Sequence, residues 1–251
     1  MVVGAGVGGI QAALDAAASG FKVYLVDKGP AMGGTMAQLD KTFPTNDCSM
    51  CILSPKFIEC AENPNIAIIT NARVEGIDGE AGNFQVHLLE EPRYVDEEKC
   101  TGCGICAEYC PIYIPDVYNE NLATKKCIHI HFPQAVPAAS VVDASRCLFV
   151  QRKICQICVP TCRSKAINFK MQPKKSTYEV GSVILAPGYD PFDPDAQSQY
   201  NYNRFSNVVT SLEFERMISA SGPNGGELLR PSDGKVPHRI AWIQCVGSRD
   251  E

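Results

Sequence analysis

Residues Cys100 to Pro111, CTGCGICAEYCP, space four cysteines as C-x2-C-x2-C-x3-C-P. Three thiolates so close in sequence converge on one centre only where the backbone turns sharply, and Gly102 and Gly104 permit that turn because they carry no Cβ. This is the loop that wraps a cubane iron–sulfur cluster, and the fourth cysteine, Cys110, conventionally ligates a second one. The run therefore predicts a partner motif downstream. Cys155, Cys158 and Cys162 supply it as C-x2-C-x3-C, with Cys147 upstream. The expected sets are Cys100, Cys103, Cys106 and Cys162 around one cluster, and Cys147, Cys155, Cys158 and Cys110 around the other. Structural zinc fits worse, since it uses two C-x2-C knuckles a dozen or more residues apart. An odd total of thirteen cysteines argues against a disulfide framework. The second motif departs from the usual pattern in having Arg163 where proline is common.

A second chemistry sits at the N-terminus. Gly4, Gly6 and Gly9 in MVVGAGVGG make G-x-G-x-x-G, followed by Ile10, Ala13, Leu14 and Ala17 at helical spacing and by Gly20 as a helix stop. FKVYLVD then reads as a buried strand ending on Asp27, eighteen positions after Gly9. An acid there can hold ribose hydroxyls while the helix N-terminus receives pyrophosphate. Gly33 and Gly34 close the unit as in many FAD proteins. Lys41, just past them, is a candidate for contacting the flavin ring, where a cation would favour the reduced anion. A solvated surface lysine is the alternative.

Cys48 and Cys51 form a further C-x2-C, with Cys60 behind them on a helix expected to start near Ser54 and Pro55. Together they are candidate ligands of a third cluster, its remaining ligand coming from outside this stretch. A redox dithiol or three buried thiols are the alternatives. Cys127 has no matching spacing and reads as a non-ligand. His129 and His131, in IHIHF, read as outward residues of a strand, and His87 as a solvent-facing strand residue.

The elements that must position these groups follow in order. Segments 66–70, 72–78 and 84–90 read as successive strands of a small sheet, and Pro92 ends the pattern. The cysteine segment occupies 93–171 as a self-sufficient insertion. A strand over Val180–Ala186 then returns the chain to the cofactor at Ala186-Pro187-Gly188. Thr210 to Glu213 is a capping-box helix start, and RIAWIQC reads as a last buried strand. The expected fold class is α/β, with residues 1–92 and 172–251 forming a Rossmann-type flavin domain, the second part opening a further nucleotide-fold segment. Only three residues precede the glycine turn and nothing follows the last strand, so the chain reads as an internal piece of a longer one.

Bulk numbers exclude several classes. Apolar content of 45% and charged content of 20% over 251 residues describe a soluble globular protein. A net charge of −5 disfavours nucleic acid and anionic membrane as partners, and no apolar run approaches the ~18 residues of a spanning helix. Thirteen cysteines then mean reduced thiols in a cytoplasm, an anaerobic one.

The stretches GAGVGG, LDKTFPTNDCSMCILSPK, CTGCGICAEYCP, FPQAVP, VILAPGYDPFDP, NVVTSLEFERM and RPSDGKVPHRIAWIQCVGSRD together resemble the A subunit of heterodisulfide reductase over essentially the whole chain. The resemblance implies a thioredoxin-reductase-like FAD domain with an inserted α+β ferredoxin domain holding two [4Fe-4S] clusters, and further clusters elsewhere. It assigns FAD binding to Gly4, Gly6, Gly9, Asp27, Lys28, Gly33, Gly34 and Gly188, and cluster ligation to the eight ferredoxin-type cysteines. It also implies methanogenesis, partner subunits of the same complex, a hydrogenase or formate dehydrogenase subunit, and ferredoxin. A flavin that splits electron pairs between two acceptors is part of that picture. Asp27 departs from the glutamate commonest in FAD proteins. Other readings are a related subunit of a quinone-interacting sulfur-metabolism complex and an electron relay without its own reaction. A glutamate-synthase-type flavoprotein fits worse, because its ferredoxin module precedes the glycine fingerprint.

Overall fold

A computed structural model describes residues 1–248. Val2–Val3 (β1) runs through the glycine turn into Val7–Ala18 (α1). Its buried residues, Gly9, Ile10, Ala13, Leu14 and Ala17, recur every three or four positions and form one apolar stripe. Gly20, at φ +88°, ends the helix and the chain returns as Val23–Val26 (β2). Ser49–Glu62 (α2) and Ile66–Ile69 (β3) follow. Next come Ala72–Glu80 (β4), Asn83–Glu90 (β5), Lys174–Val180 (β6), Ile184–Leu185 (β7) and Ser211–Ile218 (α3).

Two sheets result. One is parallel, in the order β7-β1-β2-β3, with Val2 beside both Leu25 and Ile184. The other is antiparallel, in the order β6-β5-β4, with an irregular register between Val74 and Gly76. Met1 and Val26 of the first pack on Ala72, Val86 and Leu88 of the second. The pairing of Glu90 with Lys174 brings both ends of the cysteine segment to one end of the antiparallel sheet.

Several expectations are corrected. Residues 66–69 join the parallel sheet rather than the strands that follow, because four consecutive apolar residues suit a strand covered on both faces. Residues 180–186 are not one strand: Val180 pairs with Phe84, and Ile184 with Val2. The helix predicted near Ser54 starts at Ser49, capped by Cys48, with Pro55 in its interior. RIAWIQC forms no strand. Nothing among the described residues pairs with it, and Ile240, Trp242 and Ile243 are exposed; a strand without a neighbour has no ladder to hold it.

Residues 93–171 consist of short pieces. Helical turns span Ile105–Glu108, Leu148–Arg152 and Cys158–Thr161, and two antiparallel ladders join Tyr113–Pro115 to Thr124–Lys126 and Ile128–His129 to Val141–Val142. Val95, Ile114, Cys127, Ile128, Val142 and Ala166 form a local core. Self-sufficiency is not what the packing shows. Tyr118, Phe132 and Ala135 of this segment share one core with Ile10, Phe57 and Cys60 of the nucleotide fold.

Candidate functional site

The glycine turn brings backbones closer than side chains allow. Gly4 has φ +102°, and a Cβ on it would collide with the Ala186 carbonyl; one on Gly9 would collide with the Gly4 carbonyl. The Gly4 N–H donates to the Val26 carbonyl and the Gly33 N–H to the Ala5 carbonyl, each at 2.8 Å. Gly6 caps α1 without a side-chain acceptor, so the N–H groups of the first turn stay unsatisfied. Gly34 lies beside Gly6, and Gly8 faces open space. Orphan donors at the positive end of a helix, with no side chain over them, fit a pyrophosphate.

Asp27 is committed to the loop itself. One carboxylate oxygen accepts the Ala5 N–H at 2.6 Å and the other the Gly29 N–H at 2.7 Å. Each oxygen keeps a second lone pair for a hydroxyl. Lys28 is exposed next to it. Gly188, at φ +76° with open space around it, follows Ala186, whose N–H donates to the Val3 carbonyl at 2.8 Å. Lys41 is exposed on a short ladder opposite Cys48, away from any described contact with Gly33 or Gly34.

The eight ferredoxin-type cysteines line two hollows. Cys100, Cys103, Cys106 and Cys162 line one, with Val95, Ser140 and Ile167. Cys110, Cys147, Cys155 and Cys158 line the other, with Ile112, Val142, Phe149 and Phe169. Gly102, Gly104 and Cys155 take positive φ at the turns that make this possible. Among the described residues no three Cys, His, Asp or Glu side chains converge closely enough for a single metal ion. A tetrahedral zinc, with Zn–S near 2.3 Å, would draw four sulfurs to about 4 Å of one another. Four thiols spread around a hollow suit a polynuclear cluster instead.

The thiols differ in electrostatics. Burial, with the Cys147 charge added, pushes Cys158 up to about 12, and burial also raises Cys106. For Cys162 burial is outweighed by hydrogen bonds from Ser164 and from the backbone of Ala166 and Ile167, which hold it below the ordinary thiol range. Loading either hollow must therefore release protons, because thiolates are the ligands. Cys127 lines the second hollow as a fifth thiol. It is 2% exposed and donates to the Asp143 carbonyl at 3.3 Å, and burial pushes it to about 12.

The third set of cysteines divides. Cys48 accepts the Cys51 N–H at 3.2 Å; contact between the two side chains lowers Cys48 and raises Cys51. Cys60 does not join them. Nine residues along α2 at about 100° each put it on the opposite face from Cys51 and about 13 Å further along the axis. It is fully buried in the core with Ile10 and Phe57, and burial pushes it to about 11. One cluster cannot take Cys51 and Cys60 together.

His129 and His131 do not point outward. Both are half-buried, and desolvation, with Lys125 nearby, pulls each down to about 4. The His87 side chain is 38% exposed and lies between Thr177 and Asp78 at 2.9 Å each.

Two arginines escaped the sequence reading. Arg216 on α3 is fully buried and donates to Asn119, Gln38 and Ser221. Its only signal was a charge four positions after Leu212 on the apolar face of the helix. Arg93, 5% exposed, joins the root of the cysteine segment to the nucleotide fold, and nothing in its neighbourhood marked it.

Comparison with known proteins accords with this geometry. A family model for FAD dependent oxidoreductase matches residues 1–49, and one for 4Fe-4S binding domain matches residues 93–115. The chain is 50% identical over 251 residues to the A subunit of H(2):CoB-CoM heterodisulfide,ferredoxin reductase from Methanothermobacter marburgensis, covering 100% of this chain and 37% of that protein. It is 53% identical over 250 residues to an iron-sulfur A subunit of CoB--CoM heterodisulfide reductase from Methanopyrus kandleri, with 100% and 37% covered. It is 51% identical over 251 residues to the A subunit of H(2)/formate:CoB-CoM heterodisulfide,ferredoxin reductase from Methanococcus maripaludis, again with 100% and 37% covered. The chain thus spans little more than a third of the length of these relatives. Among the described residues no helix is long and apolar enough to cross a membrane. Over its full length the chain is a homologue of the A subunits of heterodisulfide reductases, and it carries FAD-dependent oxidoreductase and 4Fe-4S-binding sequence.

Proposed function

We propose that this chain is the flavin- and cluster-bearing part of an electron-transfer oxidoreductase subunit of the heterodisulfide reductase type. The observation that carries the reading is a direct backbone link between the flavin turn and the cysteine segment. The Met32 N–H, one residue before Gly33, donates to the Val136 carbonyl at 2.9 Å. Two residues on, the Ala138 carbonyl closes against Gly102 in the first cysteine loop. When bound, FAD would exchange electron pairs and the clusters single electrons.

The residues of the chain have separate tasks in this scheme. The first turn of α1 holds the pyrophosphate through its free N–H groups, and Asp27 orients the ribose while bracing Ala5 and Gly29. The two sets of four cysteines hold the clusters, and Phe149, Phe169, Ile112 and Val142 keep water from the second. Cys48 and Cys51 supply two ligands of a third cluster, without Cys60. The partners in this reading are the other subunits of such a complex, a hydrogenase or formate dehydrogenase subunit, and ferredoxin. Bifurcation at the flavin and a cytoplasmic location belong to the same proposal.

The test is anaerobic reconstitution of the whole chain. One FAD and about eight irons per chain, those of the two four-cysteine sets, are expected, because Cys48 and Cys51 do not by themselves complete a four-thiolate site. Gly6→Val should lose the flavin and keep the iron, since a branched side chain would cover the approach to the helix N-terminus. Unchanged flavin in that variant, or a preparation holding zinc alone, would refute the reading.

A further inference from the structure

Arg93 lies three residues past β5, where the cysteine segment begins. Through Nη2 it donates to the Pro30 carbonyl at 2.6 Å and the Thr70 hydroxyl at 2.8 Å, both on the nucleotide fold. Through Nη1 it donates to the Ala139 carbonyl at 3.3 Å. Its Nε lies 2.6 Å from Glu97. Ala139 is flanked by Ala138, whose carbonyl closes against Gly102 in the first cysteine loop, and by Ser140, which lines the first hollow with its hydroxyl 3.5 Å from the Cys106 sulfur. Neither hollow has a charged side chain in its lining; beside the second, Lys126 Nζ donates to the Cys110 carbonyl at 2.8 Å, but its side chain is only half-buried and water screens it.

We propose that the buried charge of Arg93 raises the reduction potential of the first cluster, held by Cys100, Cys103, Cys106 and Cys162, relative to the second. This rests on the two-cluster reading above. A cluster gains one negative charge on reduction, and a fixed cation in a poorly solvated setting favours that form. Arginine keeps its proton at any working pH. Burial lowers its pKa, while Glu97 and the Cys100 charge oppose that. Glu97 pulls the cluster the other way, but its carboxylate is 47% exposed and water screens it, whereas the guanidinium is enclosed. The net sign is therefore positive. Arg93 acts as a positioning and tuning residue, through space and through Ala139.

The experiment is a redox titration of the reconstituted protein followed by low-temperature EPR, with signals assigned by Cys103→Ala and Cys155→Ala. Arg93→Met should make the first cluster about tenfold harder to reduce, equivalent to 59 mV for one electron, and leave the second in place. Arg93→Lys should restore the potential, because it restores the charge. Glu97→Gln should shift the first cluster in the opposite direction while leaving the other Arg93 hydrogen bonds intact, so the idea stays testable if Arg93→Met fails to fold. Equal shifts in both clusters, or a first cluster unmoved by both the Met and the Gln substitution, would overturn the tuning role. Fewer than two cluster signals in the unsubstituted protein would overturn the cluster reading itself.

Discussion

Replacing Arg216 by methionine keeps most of the side-chain stem and removes every donor. The guanidinium reaches Asn119 Oδ1, the Gln38 carbonyl and Ser221 Oγ at 3.0 Å each, and it lies 4.5 Å from the centre of the Tyr118 ring. Ser221 can turn to Ser219, 3.3 Å away; Asn119 and Gln38 lose a buried donor without a substitute. Each orphaned acceptor costs about 1–3 kcal/mol, and the lost cation–π contact about 1–2 kcal/mol. Relief from burying a charge returns part of this, leaving a net loss of about 2–3 kcal/mol. With a urea dependence of about 2–3 kcal/mol per molar, the midpoint followed by circular dichroism should fall by about 1 M. The loss has a functional side. Gln38 lies four residues past Gly34, and Tyr118 of the cysteine segment donates to the Ala37 carbonyl at 2.7 Å, so flavin affinity should weaken in the same samples. Arg216→Lys, with a charge but no fork, should fall between. A midpoint and a flavin affinity both unchanged in Arg216→Met would refute the argument that this side chain ties the three segments together.

Cys103→Ala and Cys158→Ala should each leave about four irons of eight; complete loss from either single variant would contradict the division of the cysteines between two hollows. Cys60→Ala should cost about 1–2 kcal/mol through lost core packing and leave the eight irons of the two hollows in place, so an unchanged stability would show that this thiol does not pack the core as described. The folded-state pKa of His129 and of His131 is depressed from 6.5 to about 4. Their contribution to stability is therefore present above pH 6.5 and lost as pH falls from about 6.5 towards 4, because the unfolded chain takes up the protons. Each is worth on the order of 3 kcal/mol at most. His131→Phe should flatten the acid limb of a pH–stability curve, and an unchanged limb would show that the ring is solvated when folded.

Much of the candidate site was legible because its determinants are local. Gly4 and Gly9 of the first turn sit where a Cβ would strike a backbone carbonyl only a few residues away or across one strand pairing. The short cysteine spacings force their sulfurs into one loop, and the capping box at Thr210 closes within four residues, with both hydrogen bonds present. What local pattern could not supply was the company each segment keeps. The sequence offered 66–70 and 72–78 as neighbouring strands, yet they enter different sheets. Histidines alternating with apolar residues suggested a solvated strand face, but packing of the insertion half-buries them.

The sequence by itself determined the two chemistries. Glycines that remove steric bulk, and thiols held a few bonds apart, are properties of short stretches that hold in almost any surroundings. The tertiary structure alone decided that Cys127 lines the second hollow as a fifth thiol, that Cys60 turns into the core while Cys48 and Cys51 stay together, and that Arg93 and Arg216 are buried. Arg93 reaches partners 23 to 63 residues away and Arg216 one 178 residues away. The dielectric and the hydrogen-bond partners around such a charge are set by whatever the fold brings against it, and neighbours along the chain carry no record of that.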